Sequence, residues 1–157
     1  MATPEDRLKE LQLELPPVAP PAGAYIPVVR TGNLVFTSGQ LPMLQGKIQA
    51  AGHVPADVPV KAAQAAARQA ALNALAAVRS VVGSLDHVTR IVRVNVFVNS
   101  SAGFTEQAVV ANGASQLLMD IFGEAGRHTR CAIGAAELPL NAAVEVDLVA
   151  EVTQLNS

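Results

Sequence analysis

The feature that most constrains the fold is a long alanine-rich segment near the middle of the chain, residues 60–82. Its apolar residues recur every three or four positions, so one face of a helix would carry Ala67, Ala71, Leu75, Val78 and Val82. Asp57 or a neighbouring residue is expected to cap the start of this helix, and Gly83 is expected to end it. Because the side chains are small, that face is flat. The segment therefore predicts a helix that packs closely against a sheet.

A strand and a second helix follow this segment. Over residues 88–99, the valines at positions 92, 94, 96 and 98 alternate with mainly polar residues, which indicates a strand with one apolar side. Residues 104–122 then show helical spacing, and their predicted inner row is Val110, Ala114, Leu117 and Ile121.

Further strands are predicted on both sides of these elements. They cover residues 25–29, 33–37, 46–51, 130–137 and 143–152. A tight turn at Thr31 and Gly32 joins the first two, and a helical lead over residues 1–16 precedes them. The order β-β-β-α-β-α-β-β predicts an α+β fold of six strands with both helices on one face of the sheet. We expect residues 1–21 to be an N-terminal extension and residues 22–157 to form a single domain.

Composition adds an expectation about the surface. Half of the 157 residues are hydrophobic, only 15% are charged and the mean hydropathy is +0.32, which is apolar for a soluble monomer of this size. The sheet face opposite the helices is expected to be rich in valine, alanine and isoleucine, and such a face needs cover. Self-association is the simplest source of that cover.

The same counts argue against several classes of protein. No apolar run reaches the roughly 18 residues of a membrane span, and the charged N-terminal residues do not resemble a secretory signal. A single cysteine rules out an internal disulfide, which fits a reducing cytoplasm. One cysteine and three scattered histidines offer no metal-ligand spacing. A net charge of −2 with 3% aromatic residues is atypical of a nucleic-acid-binding surface, so we expect no nucleic acid, membrane or metal partner.

Two ionised residues stand out in the last two predicted strands. Arg130 begins one apolar strand, and Glu145 lies within the next. Charges in such places are costly unless they are paired or used. An arginine offers a fork for a planar carboxylate, and a glutamate across the hairpin can hold or polarise a water molecule. The residues alone leave a ligand-binding arginine and a structural ion pair with Glu145 about equally supported.

Two motifs in this chain resemble those of a known family. Residues 32–42 read Gly-Asn-Leu-Val-Phe-Thr-Ser-Gly-Gln-Leu-Pro, and residues 130–146 carry an arginine, then Leu-Pro, then Val-Glu-Val. Both are similar to signatures of the RidA/YjgF family, the reactive-intermediate enamine and imine deaminases that also bear the label endoribonuclease L-PSP. The resemblance extends over residues 22–152 and agrees with the predicted order of strands and helices.

The resemblance implies a fold and an activity. The fold is chorismate-mutase-like, a mixed six-stranded sheet with two helices on one face, assembled as a homotrimeric barrel with ligand clefts between adjacent subunits. The implied activity is hydrolysis of 2-aminoacrylate-type enamines and imines to a 2-keto acid and ammonia, without metal or cofactor. The alternatives are a non-catalytic module that binds small carboxylates or 2-keto acids and the endoribonuclease of the family label.

The resemblance also implies which residues form the site. Arg130 would bind the substrate carboxylate, and Glu145 would position the hydrolytic water. The remaining substrate contacts would come from Tyr25, Ser38, Gly39, Asn112 and Cys131.

This chain departs from the family pattern just before the arginine. His128 and Thr129 replace the usual Pro-Ala, and Cys131 follows the arginine directly instead of one residue later. These changes alter the rim of the cleft, and His128 is the histidine expected to touch it. No His-Asp pattern supports Cys131 as a nucleophile, and its residue type also fits a packing role.

Overall fold

The computed structural model describes residues 1–21 and 23–154, and its elements follow the predicted order with several shifted bounds. The strands are β1 (Val28–Thr31), β2 (Leu34–Thr37), β3 (Met43–Leu44), β4 (Lys47–Ile48), β5 (Val88–Asn99), β6 (Thr129–Ala135) and β7 (Val144–Val152). The helices are α1 (Pro4–Glu10), α2 (Val60–Val82) and α3 (Gln107–Phe122), with single 3₁₀ turns at Leu85–His87, Gly123–Gly126 and Pro139–Asn141. Residue 22, the predicted start of the domain, and residues 155–157, its predicted end, lie outside the described residues.

Five strands form one mixed sheet in the order β1-β2-β7-β5-β6, and both long helices pack against it. The α+β class and the mixed sheet are thus confirmed, but the predicted count of six strands is wrong. The segment predicted as the third strand instead contributes β4 to a separate two-stranded hairpin with β3. Gln45 and Gly46 both have positive φ, 51° and 77°, and the tight turn they make pairs this segment with its own neighbour.

The last two strands do not form the hairpin that their sequence predicts. Strand β6 pairs with β5 in parallel, with Arg130 opposite Val94. Strand β7 pairs antiparallel with the other edge of β5, with Glu145 opposite Phe97. Parallel neighbours require a crossover connection, and α3 supplies it between β5 and β6. Because β5 lies between them, Arg130 and Glu145 are not cross-strand neighbours.

Helix α2 covers the predicted residues and buries the predicted face against the sheet and α3. The two helices approach closely, because Gly113 of α3 lies against the backbone carbonyl of Gln64. Gly83 ends the helix with a φ of 82°, as predicted. Helix α3 likewise buries its predicted inner row, so the two helices and one sheet face enclose a single core.

The cap of α2 and the start of α3 differ from the prediction. Pro59 is the N-cap residue of α2 and makes no side-chain hydrogen bond. Asp57 instead accepts a hydrogen bond from the backbone N–H of His53 at 2.8 Å, which closes the preceding turn. Helix α3 begins at Gln107, because the side chain of this residue donates to the carbonyl of Phe104 at 2.8 Å and holds the preceding residues in a loop.

Strand β5 matches the predicted residues and carries the apolar alternation into the core. The fully buried valines are Val94, Val96 and Val98. A bulge between Ile91 and Arg93 breaks the register, so that Ile91 joins the core while Val92 is only half-buried.

The sheet face opposite the helices is partly apolar and uncovered, as predicted. Val29, Phe36 and Ile133 remain 48%, 38% and 48% exposed on it. Asn95 and Asp147 add a polar pair to the same face, joined by a hydrogen bond of 2.8 Å.

The N-terminal lead is shorter than the predicted helix over residues 1–16. Helix α1 ends at Glu10, and Gln12 then adopts a positive φ of 56°. Glu5 accepts hydrogen bonds from the backbone of Leu85 at 2.9 Å and from the side chain of Arg79 at 3.2 Å. Leu8 is buried in the main core, so the lead packs on the body of the protein.

Candidate active site

The Arg130 side chain is held by uncharged groups of α3. Its Nη1 donates to Asn112 Oδ1 at 2.8 Å and to Ser115 Oγ at 3.1 Å, while Nη2 donates to the Ala108 carbonyl at 3.4 Å. Within the described part of the chain the guanidinium forms no ion pair with a carboxylate. The cation is therefore oriented without being neutralised.

This arrangement leaves one edge of the guanidinium for a ligand. Both hydrogens of Nη1 are used by Asn112 and Ser115. Nε and the second hydrogen of Nη2 have no hydrogen-bond partner among residues 1–21 and 23–154. An Nε–Nη2 edge binds a carboxylate through two parallel hydrogen bonds, so Arg130 retains the geometry needed to hold a small acid.

A hollow of about 340 Å³ lies beside Arg130. Its lining residues are Ser115, Met119, Arg127, His128 and Arg130. Arg127 is mostly exposed and pairs with the equally exposed Glu124 at 3.1 Å, a contact that water screens. The two arginines make the hollow electropositive, which suits an anionic ligand.

His128 lies in this hollow, where the sequence predicts a histidine at the rim. Its Nδ1 is 2.6 Å from the Gly126 carbonyl, and its Nε2 is 2.8 Å from Ser115 Oγ. Because a carbonyl can only accept, Nδ1 carries the hydrogen, and Nε2 accepts from the serine hydroxyl. Burial, with a smaller effect of the nearby Arg130 charge, lowers the pKa of His128. The ring is therefore neutral at pH 7.

Ser115 is a site residue that sequence reasoning missed. It follows Asn112 by three positions on α3, so both side chains lie on the same face of the helix. The sequence signal for Ser115 was its position three residues after the predicted Asn112. This signal is weak, because a serine within a helix is common.

A second cluster surrounds Glu145 on the helix-free face of the sheet. The carboxylate lies against Gly39, where any larger residue would collide with it. Backbone hydrogen bonds of 2.7 and 2.9 Å between Gln40 and Val146 hold the Gly39 loop on β7. Burial, and then the neighbouring Asp147 charge, raise the pKa of Glu145. A carboxylate with a raised pKa is suited to accept and return a proton.

Tyr25 and Ser38 lie near this second cluster. Strand β1 begins at Val28, after Pro27, so Tyr25 stands in the preceding loop instead of in the predicted strand. Tyr25 and Gly39 line one hollow of about 130 Å³. The Ser38 hydroxyl donates to the Ile26 carbonyl at 2.6 Å, a bond that fastens the loop to the end of β2.

The two clusters are separate within one chain. Arg130 points towards α3, whereas Glu145 lies on the opposite face of the sheet, two strands away. Two strand spacings alone separate their backbones by about 10 Å. Cys131 follows Arg130 on the edge strand, where it is exposed and opposite Asn95. The structure thus brings Arg130 and Asn112 together, and Glu145 and Gly39 together, but it does not join the two pairs.

Two further properties bear on the chemistry. In the described ranges, no group of three His, Cys, Asp or Glu side chains is placed to hold a metal ion. The same residues contain no helix that is long and apolar enough to cross a membrane.

Comparison with known proteins identifies the family. Residues 5–152 match the family described as "YjgF/chorismate mutase-like, putative endoribonuclease". The chain is 48% identical over 145 residues to protein TCP17 of Trypanosoma cruzi, a match covering 92% of this chain and 91% of that protein. The chain therefore belongs to the YjgF/chorismate mutase-like family, as its two motifs indicate.

Solved structures agree with this assignment. The protein Atu1372 of Agrobacterium tumefaciens, whose function is unknown, is 46% identical with a TM-score of 0.89; the match covers 96% of this chain and 92% of that one. E. coli TdcF, solved with bound serine, is 28% identical with a TM-score of 0.63 over 88% of this chain and 94% of that one. The fold is thus the YjgF fold, with greater similarity to Atu1372 than to TdcF.

Proposed function

We propose that this protein is a cytoplasmic hydrolytic deaminase of reactive 2-enamino and 2-imino acids of the 2-aminoacrylate type, releasing a 2-keto acid and ammonia. The observation that carries the proposal is the state of Arg130, a cation oriented by Asn112 and Ser115 beside an open hollow and not neutralised by the described carboxylates. The substrates of this class and their 2-keto acid products share a carboxylate that such an arginine recognises.

The complete site is proposed to form between two copies of the chain in a homotrimer. Arg130, Asn112 and Cys131 would come from one subunit, whereas Glu145 and Tyr25 would come from its neighbour. The sheet separates Arg130 and Asn112 from Glu145 within one chain, which supports this arrangement. The uncovered apolar side chains on the helix-free face supply a surface that association would bury. Gly39 and Ser38 would complete the second half of the cleft.

The reaction requires little more than positioning. The protonated imine carbon is attacked by water, one proton of which passes to the Glu145 carboxylate and leaves a neutral carbinolamine. Glu145 returns that proton to the nitrogen, and ammonia leaves as the hydroxyl proton of the same carbon passes to Glu145 and the keto group forms. Glu145 then releases this last proton to solvent. Holding the carboxylate on Arg130 and the water on Glu145 replaces a bimolecular encounter with a bound geometry.

The bound serine of E. coli TdcF supports the substrate class. Serine is a small 2-amino acid, so its carboxylate and nitrogen are spaced as in a 2-imino acid. TdcF is similar to this chain along most of its length. Binding of such a molecule by a similar protein is consistent with an arginine-centred cleft for small acids in this one.

The proposal is tested by measuring ammonia release from 2-iminopropanoate generated in the assay by an amino-acid oxidase. We expect Arg130→Ala to abolish release while the fold is retained, because the carboxylate loses its only proposed anchor. Arg130→Lys should restore little, since lysine lacks the fork. Arg7→Ala removes an exposed cation on α1 and serves as the control. Undiminished turnover by Arg130→Ala would overturn the site assignment.

Two other functions would give different results with the same variants. A regulatory module would bind pyruvate through Arg130, measured by calorimetry, yet release no ammonia. The family description favours a ribonuclease. RNA cleavage by pure protein, lost with Arg130→Ala, would support that function, although the net charge of −2 offers little attraction for a phosphate backbone.

A further inference from the structure

The hydrogen bonds around Arg130 continue beyond Ser115 to His128. Arg130 Nη1 donates to Ser115 Oγ at 3.1 Å, the serine hydroxyl donates to His128 Nε2 at 2.8 Å, and His128 Nδ1 donates to the Gly126 carbonyl at 2.6 Å. Every donor in this series of three hydrogen bonds meets an acceptor. The backbone carbonyl at its end places a hydrogen on Nδ1, and in the neutral ring Nε2 then accepts from the Ser115 hydroxyl.

The direction matters because a serine hydroxyl can rotate. In a helix, its hydrogen commonly turns to a backbone carbonyl one turn earlier. With His128 Nε2 as acceptor, the Ser115 hydrogen points away from α3, and the oxygen lone pairs face the guanidinium. Ser115 and Asn112 together then occupy Nη1, and the Ala108 carbonyl takes one hydrogen of Nη2, which leaves Nε and the other Nη2 hydrogen of Arg130 for a ligand.

We propose that His128, held as the Nδ1–H tautomer by Gly126, is a positioning residue that acts through Ser115 to keep the ligand-binding edge of Arg130 turned towards the hollow. This role of His128 rests on the proposed function, in which Arg130 binds the substrate carboxylate. It gives a role to the histidine that replaces the proline of the family pattern, and it extends the site beyond the positions implied by that pattern.

The surroundings of His128 favour this neutral form. The charged groups that line the hollow with it are Arg127 and Arg130, both cations, while α3 presents the uncharged Ser115 and Met119. A protonated ring would face two positive charges and would lose the lone pair that receives the serine hydrogen. Burial, together with Arg130, lowers the pKa of His128, in agreement with the geometry.

The test is calorimetric binding of pyruvate at pH 7.5 to a set of variants of the full chain. His128→Phe retains a ring and removes the acceptor, Ser115→Ala removes the middle of the chain of bonds, and the double variant removes both. His128→Gln restores an acceptor that reaches the position of Nε2. His87→Gln is the matched control, because His87 Nδ1 also bonds a backbone carbonyl, that of Val82 at 2.7 Å, and lies outside the site.

We expect His128→Phe and Ser115→Ala each to weaken pyruvate binding about tenfold, the size of one well-placed hydrogen bond. The double variant should be no weaker than either single variant, because both break one chain of bonds. His128→Gln should recover most of the affinity, and His87→Gln should bind as the unmodified protein does. Nitrogen-15 spectra of the ligand-free protein should show His128 protonated on Nδ1 alone.

Several results would overturn the positioning role. These are binding by His128→Phe equal to that of the unmodified protein, losses that simply add in the double variant, no recovery in His128→Gln, or a ring protonated on Nε2. If His128→Phe does not fold, Ser115→Ala and the nitrogen-15 spectra still decide. Failure of the unmodified protein to bind pyruvate, or equal binding by Arg130→Ala, would instead overturn the proposed function.

Discussion

At the scale of single residues, the site depends on Arg130 being bound by neutral acceptors. Asn112 Oδ1 lies 2.8 Å from Nη1. Asn112→Asp would replace that amide with a carboxylate of nearly the same shape. We expect pyruvate affinity to fall tenfold or more while the unfolding midpoint is unchanged or raised, since the new ion pair neutralises the cation that the ligand requires.

A matched charge elsewhere on α3 provides the control. Gln116→Glu adds the same negative charge at an exposed position of the same helix. It should leave pyruvate binding within about twofold, because exposed charges are screened by water and salt. Equal losses in the two variants would show that net charge, and not neutralisation of Arg130, determines affinity.

A second prediction concerns the pH dependence of Glu145. Its pKa is raised by burial and, to a smaller extent, by Asp147. If ionised Glu145 receives the proton of water, the acid limb of kcat/KM should lie above the usual glutamate pKa of 4.5. Asp147→Asn should move that limb to lower pH. Glu151→Gln, on the same strand, should leave the limb in place.

The same shift has a consequence for stability. Because the folded-state pKa of Glu145 is raised, its contribution to folding is fully present below the unfolded value of 4.5 and is lost as the pH rises through the raised value. Asp147→Asn removes one cause of that loss, so it should increase the free energy of unfolding more at pH 7 than at pH 4. An equal change at both pH values would contradict the assignment.

The sequence predicted the roles of individual residues more readily than the contacts between them. The roles expected of Arg130 and Asn112 agree with their mutual hydrogen bond, and the close approach of Gly39 to Glu145 explains a glycine in that motif. An ion pair between Arg130 and Glu145 could not be excluded from the sequence, because sequence alone does not determine which strands are neighbours. Ser115 was missed because its role depends on the position of His128, thirteen residues away.

At the scale of elements, the contact between α2 and α3 sets the position of Asn112 and Ser115. Gly113 lies between Asn112 and Ser115 in sequence. It faces the Gln64 carbonyl of α2, where a Cβ would collide with the backbone. Gly113→Ala should therefore lower the free energy of unfolding by about 1–3 kcal/mol, measured with urea, because neither helix backbone yields easily.

The sign of the change in the free energy of unfolding distinguishes a steric effect from a helix-propensity effect. Helix propensity alone would make the same substitution stabilising by about 1 kcal/mol. A more stable Gly113→Ala protein would contradict the close approach of the two helices.

Local patterns predicted the elements well and their pairing less well. The bounds of α2 and β5 follow directly from periodicity and from Gly83, all of which act within a few residues. The pairing of β7 with β2 and β5 depends on residues more than 40 positions apart, so the Leu-Pro turn before β7 suggested a hairpin that does not form. The β3–β4 hairpin is a local feature that the patterns did not predict. Its turn at Gln45 and Gly46, where both φ values are positive, leaves only two residues in each strand, too few to show a strand pattern.

At the scale of the whole molecule, one chain presents two separate clusters of candidate site residues and an uncovered, partly apolar sheet face. The polar and apolar side chains on that face would be buried together if copies of the chain associate. The sequence anticipated the need for cover from its composition. It also predicted Arg130 and Glu145 as site residues, but only the structure shows that they lie on different faces of the sheet.

The most direct test of the account is complementation between two inactive variants. Arg130→Ala and Glu145→Gln are each expected to release almost no ammonia from 2-iminopropanoate. When the two are unfolded, mixed in equal amounts and refolded, any mixed trimer contains one cleft that joins an intact Arg130 to an intact Glu145 of its neighbour. We predict recovery of about a quarter of the unmodified activity, the fraction expected for random cyclic trimers. If refolded mixtures remain as inactive as the separate variants, while each still assembles, the site is not shared between subunits and the account is wrong.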